Sequence, residues 1–381
     1  MRRGFTTKIT KITKTGDNMT YRRSTALFLF LLAAGVVRAE NPTPVYPPPT
    51  AVRAAFHKLL DRPAVPLDVK VEETKTSGGL TTERLSFASE KHADGKIERV
   101  PVLVVRPEKA DKRLPAVIAL HGTGGNKEGM RGWLTDLAKR GFVAVAIDAR
   151  FHGERAGGAK GAAAYVKAIT RAWEAKPGDE SQGHPFYYDT CWDLWKTVDY
   201  LQQRDDVDPD RIGVFGISMG GIEIWLGAST DERIKVMVPL IAVQSFRWSL
   251  DNEQWQGRAN TIKGAHEAAA RDLGESKVNQ KVCRALWSKV VPGILDQFDC
   301  PSMLRLCAPR PLLILNGEED PNNPLEGAKV AFASAERAYK DAGAEDKLKI
   351  FVAKGIKHAV TDEERRMTLD WLEKWLKPQK D

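Results

Sequence analysis

The sequence predicts an α/β protein: a mostly parallel central sheet with helices on both faces and insertions over the carboxyl edge of the strands. Three observations predict it. From residue 116 onward, short apolar runs of strand character alternate with segments of helical period, as parallel strands joined by crossover helices require. A serine stands between glycines where one such run ends, in Gly216-Ile217-Ser218-Met219-Gly220. An acid and a histidine, Asp320 and His358, follow two later runs.

The N-terminus reads as a targeting segment. Residues 1–39 hold eight Lys or Arg and one acid, so they carry most of the net charge of +8. The remainder is near neutral and gives no basis for nucleic-acid binding. Arg22-Arg23 precede an apolar run at residues 26–37, and Val37-Arg38-Ala39 offers small residues for cleavage. This predicts a signal peptide at 1–39, a start at Met1 or Met19, and a secreted or periplasmic protein. The run is too short for a stable membrane span. Asn41-Pro42-Thr43-Pro44 and Pro47-Pro48-Pro49 read as a stiff linker within a segment at 40–79, ahead of the main domain at 80–381. In an oxidising compartment Cys191, Cys283, Cys300 and Cys307 have three possible pairings, and the spacing selects none.

The main domain opens with residues 80–89 and 97–106, an antiparallel hairpin around Asp94-Gly95. Residues 116–120 are a strand, 132–140 a helix and 142–147 a strand. A helix at 191–203 leads to the strand at 211–215. Further strands follow at 236–240, 311–315 and 348–352, and a last helix at 363–376. Residues 151–190 and 241–308 break the alternation and read as insertions. No metal-binding spacing such as C-x-x-C or H-E-x-x-H occurs, and the glycines at 122–125 lack the spacing of a phosphate loop.

The chemistry lies at the strand ends. Small residues two before and two after Ser218 permit a sharp strand-to-helix turn that holds its hydroxyl out of the sheet. A serine needs a base, oriented by a carboxylate, to become a nucleophile. Of seven histidines, His358 lies between the last strand and the last helix. Asp320 lies in the loop after residues 311–315, with its neighbour Glu319 as the rival acid. Gly122-Thr123, after the strand at 116–120, presents an amide for a developing oxyanion, joined by the amide of Met219. His121 reads as structural, a ring packed beneath this loop.

Five stretches then carry a resemblance: "LHGTGG", "DARFHGER", "DLWKTVDYLQQRDDVDPDRIGVFGISMGG", "LLILNGEEDPNNP" and "GIKHAV". Together they resemble the α/β-hydrolase superfamily, on the branch of dienelactone hydrolases, acetyl xylan esterases and prolyl-oligopeptidase-type catalytic domains. The resemblance implies the α/β-hydrolase fold and a triad of Ser218, Asp320 and His358. It implies an oxyanion hole at Thr123 and Met219, and no cofactor. The expected activity is hydrolysis of a carboxylic ester, with an acetylated carbohydrate as the expected substrate. A peptidase is the rival within hydrolases, but residues 40–115 are too few for the propeller that such enzymes carry. A binding protein on an inactive hydrolase fold is the rival outside them. Trp248, Trp255 and Trp287 of the second insertion are offered as substrate platforms, against the alternative that they pack the insertion onto the sheet.

Overall fold

The computed structural model describes residues 45–179, 181 and 183–377. The apolar run at 26–37 and its cleavage site lie outside the described residues. The strands are β1 Lys70–Ser77, β2 Leu80–Lys91, β3 Ile97–Pro107, β4 Leu114–Leu120, β5 Val143–Ile147, β6 Val207–Ile217, β7 Ile234–Leu240, β8 Leu312–Gly317 and β9 Leu348–Ala353. They form one sheet in the order β1-β2-β3-β5-β4-β6-β7-β8-β9. The pairs β1–β2, β2–β3 and β3–β5 are antiparallel, and every pair from β5 to β9 is parallel.

The order reverses at β4. The chain moves from β4 outward to β5, then crosses back to place β6 on the other side of β4. Crossovers from neighbouring strands leave on opposite faces at such a point, and a crevice opens beyond the carboxyl ends. The loop after β4 and the turn after β6 both lie there.

The central strands feed two cores, as a side-chain period of two requires. Ala116, Ile118 and Ile314 belong to one core, with the helix Tyr188–Gln202 and the insertion helices. Val117, Ala119 and Leu313 belong to the other, with the helices Arg131–Lys139 and Asp362–Leu376. The last helix starts at a reciprocal cap: the Glu364 amide donates to Thr361 Oγ1 at 3.1 Å, and the Thr361 amide donates to Glu364 Oε2 at 2.8 Å.

Two departures fall at 40–79. The prolines do not form only a linker, because Pro49 begins a helix, Pro49–Leu60. Proline suits a first helical turn, where its missing N–H costs no bond. Val52, Phe56 and Leu60, four residues apart, bury that helix on the core. Strand β1 was not expected either. Its KVEETKTS is exposed nearly throughout, so it lacks an apolar alternation. It is an edge strand, where charge discourages pairing with other chains.

The "DARFHGER" segment is structural. Asp148 Oδ1 accepts from the Lys127 amide at 2.7 Å, and Oδ2 accepts from Lys127 Nζ at 3.0 Å and the Glu154 amide at 3.0 Å. Lys127 is thereby committed to an ion pair, which tethers the loop after β4 to the loop after β5. Arg150 donates to Asp193 Oδ2 at 2.7 Å and to Glu90 Oε1 at 2.8 Å, all three buried. Burial opposes ionisation of Asp193, but Arg150 and Arg155 beside it hold its carboxyl well below the usual range. The four cysteines are free and buried, with no disulfide among the described residues.

Candidate active site

Strand β6 ends at Ile217, and the helix Met219–Glu223 begins directly after Ser218. Ser218 itself turns the chain, at φ 54° and ψ −109°. A non-glycine residue in such a conformation costs of order 1–3 kcal/mol and persists only where its surroundings enforce it. Here the Ser218 amide donates to Leu240 O of β7 at 2.9 Å. The flanking glycines permit the close approach. A Cβ on Gly216 would lie 2.5 Å from the Gly220 carbonyl, and one on Gly220 would lie 2.5 Å from Leu120 O.

Three side chains from the ends of β6, β8 and β9 converge. Ser218 Oγ donates to His358 Nε2 at 2.9 Å, and His358 Nδ1 donates to Asp320 Oδ2 at 2.8 Å. These directions follow from the carboxylate, which accepts only and so draws the ring proton to Nδ1. Asp320 is buried. Burial alone would raise its pKa, but hydrogen bonds from His358, Asn323 and the Asn322 amide hold it below the usual range. Glu319 is exposed, and no side-chain hydrogen bond connects it to His358. The geometry therefore separates the two acids: Asp320, not Glu319, meets the ring.

The loop after β4 lies against the turn. A Cβ on Gly122 would lie 3.3 Å from Ile217 O and 3.5 Å from Ser218 Cβ. Among the described residues, neither the Thr123 amide nor the Met219 amide donates to an acceptor. Met219 is the first residue of its helix, where orphan donors are expected. Beneath this loop His121 is buried with both ring nitrogens bonded. Nδ1 donates to Gly122 O at 2.8 Å, and Nε2 accepts from the Ala149 amide at 3.1 Å. Burial lowers its pKa, so it serves as a neutral strut.

The tryptophans correct one expectation. Trp287 is fully buried and donates to His266 Nε2 at 2.9 Å, so it cannot be a substrate platform. Trp255 is nearly buried and donates to Glu253 Oε2 at 3.0 Å. Trp248 is half-buried, with its ring edge set against Gly327. Trp287 packs the insertion, and none of the three is hydrogen-bonded to Ser218, Asp320 or His358. The asparagines around Asp320 had no sequence signal beyond turn composition in "DPNNP", because the partners that fix them, Ile241 and Arg258, come from distant segments. Among the described residues, no cluster of His, Cys, Asp or Glu is arranged to hold a metal ion.

The same architecture occurs in acetyl xylan esterase 1 from Thermoanaerobacterium sp., at a TM-score of 0.62 and 18% identity, covering 88% of this chain and 96% of that one. A glucuronoyl esterase from Solibacter usitatus superposes at a TM-score of 0.59 and 16% identity, covering 85% and 91%. The chain has the α/β-hydrolase fold. Residues 66–250 of the chain match the model of the acetyl xylan esterase (AXE1) family. YtaP of Bacillus subtilis, a protein named as a hydrolase, is 27% identical over 292 residues, covering 73% of this chain and 84% of YtaP. The family match reaches Ser218 and stops short of Asp320 and His358. Those two residues rest on the geometry.

Proposed function

We propose that this α/β hydrolase is an exported serine esterase that removes short acyl groups, acetate foremost, from a carbohydrate or plant-derived alcohol. The carrying observation is the Ser218–His358–Asp320 relay at the carboxyl ends of parallel strands, beside two unengaged backbone amides. The acetate preference draws on the AXE1 match and on the names of the structural neighbours.

Ser218 Oγ attacks the ester carbonyl carbon while His358 Nε2 takes its proton. The carbonyl oxygen becomes an oxyanion held by the Thr123 and Met219 amides, each such donor worth about 3 kcal/mol. Asp320 stays ionised and stabilises the imidazolium. The tetrahedral carbon expels the alkoxide, which leaves as the alcohol with the proton from His358. An acyl ester remains on Ser218. Water, deprotonated by the same Nε2, attacks that ester and releases the carboxylic acid and free Ser218.

A p-nitrophenyl ester series of increasing acyl length tests the substrate class, run beside acetylated xylo-oligosaccharides. Turnover should peak at acetate or its nearest homologues and fall steeply, since each methylene forced into a small pocket costs about 1–3 kcal/mol. Acetate should appear from the sugar. A peak at long chains, with no acetate from the sugar, overturns the carbohydrate reading. Export has its own check. The protein recovered outside the cytoplasm should have the intact mass of a chain starting near Glu40, and retention of residues 20–39 argues against a cleaved leader.

A further inference from the structure

The acid of the relay is held by a chain of buried groups that runs into the second insertion. Asp320 Oδ2 accepts from Asn323 Nδ2 at 2.8 Å in addition to His358, and Oδ1 accepts from the Asn322 amide at 2.8 Å. Asn323 is fixed at both ends. Its Nδ2 also donates to Ile241 O at 2.6 Å, and its Oδ1 accepts from Arg258 Nη2 at 2.8 Å. A guanidinium has donors only, so it keeps the amide oxygen toward itself and turns the amide nitrogen to Asp320. A flipped Asn323 would set an oxygen against the carboxylate and an NH₂ against the cation. Asn323 is fully buried and Arg258 is 2% exposed, so water offers no substitute donor.

Arg258 lies on the insertion helix Gln256–Asn260. Its Nη2 also donates to Asn322 O at 3.1 Å, and its guanidinium lies 5.6 Å over the Phe246 ring. The neighbouring residue explains how the helix comes so near. A Cβ at Gly257 would fall 1.9 Å from Pro321 O, so the helix packs backbone to backbone on the loop that carries the acid.

We propose that Asn323 and Arg258 are positioning residues that orient Asp320 for the Ser218–His358 pair, so that the insertion completes the active site. This rests on the triad reading above. Ionisable groups facing the chain are His358 on Asp320, and Tyr187 and Cys300 near Arg258. Without the Asn323 donor, Asp320 shares its charge with one partner fewer and rotates more freely. Its pull on a protonated His358 strengthens, so the ring becomes harder to deprotonate. Turnover should fall, and the acid limb of kcat/KM should move to higher pH.

The test uses the full chain with p-nitrophenyl acetate, comparing Ser218→Ala, Asn323→Ala, Asn323→Asp, Arg258→Met and Arg258→Lys. Asn323→Ala and Arg258→Met should lose on the order of ten- to a hundredfold in kcat with KM little changed, as misplacement of a reacting group does. In Asn323→Ala the acid limb should move upward. Arg258→Lys retains a cationic donor and should recover most of the rate. Asn323→Asp keeps the volume and the Arg258 pair while replacing the donor to Asp320 and Ile241 O with a second carboxylate that repels Asp320. It must therefore lose comparable kcat, and it decides the question if the alanine variant does not fold. Wild-type kcat and pH profile in a folded Asn323 variant, with Ser218→Ala inactive, overturn the proposal. So does a loss with an unmoved acid limb and no recovery in Arg258→Lys, the mark of a packing role. Survival of turnover in Ser218→Ala instead overturns the triad reading on which the proposal rests.

Discussion

Ser218→Ala should remove ester turnover by a factor on the order of 10⁶ in kcat while leaving a folded protein. The magnitude follows from what is lost: without Oγ no acyl-enzyme forms, and water must attack without a positioned nucleophile. The Thr123 and Met219 amides remain and should sustain a small rate above the uncatalysed one. The fold should survive because the side chain contributes one hydrogen bond, to His358, while the backbone bond to Leu240 is kept. Alanine also bears the positive φ of 54° about as serine does. Steady-state kinetics with p-nitrophenyl acetate, a fluorophosphonate labelling assay and a thermal melt form the measurement. Wild-type turnover in the variant would place the nucleophile elsewhere.

Asp320→Asn should cost on the order of 10⁴ in kcat, and Glu319→Gln almost nothing. An asparagine at 320 would turn an N–H toward His358 Nδ1 or lose the contact, and either outcome favours the tautomer that cannot take the Ser218 proton. It would also disturb the acceptor that serves the Asn322 amide and Asn323 Nδ2. Glu319 is exposed, and its link to the loop is its backbone amide on Ile356 O at 2.9 Å, which glutamine preserves. Hydrogen bonds from His358, Asn323 and the Asn322 amide hold Asp320 below the usual carboxylate range, so the acid stays ionised at neutral pH. A larger loss at Glu319 than at Asp320 would transfer the orienting role to Glu319.

Much of the sheet was legible because its strands are short, apolar and β-branched, and are buried on both faces. The runs around Ile118, Val145, Val214 and Ile314 announce themselves wherever they pair. Strand β1 was not legible from alternation, since an exposed edge selects charge over apolar period. Its trace was Gly78-Gly79, a two-residue hairpin signal. The helix at Pro49–Leu60 was hidden by its own start, where proline suits a linker and a first helical turn equally. Trp287 shows a similar ambiguity: an indole is as well suited to fill a core as to face a ligand, and its bond to His266 decides between them.

By itself the sequence determined the elbow at Ser218, the strand endings that carry Asp320 and His358, and their order along the chain. These follow from local rules: side-chain period, the steric permissiveness of glycine, and the need of a hydroxyl for a base. Only the tertiary structure decided which strand ends are neighbours, which of two adjacent acids reaches the histidine, and what holds that acid. Such outcomes depend on contacts between segments far apart in sequence, such as Arg258 with Asn323 and Leu120 with Gly220. Burial and crossover geometry set those contacts, and neither is written in any short stretch of the chain.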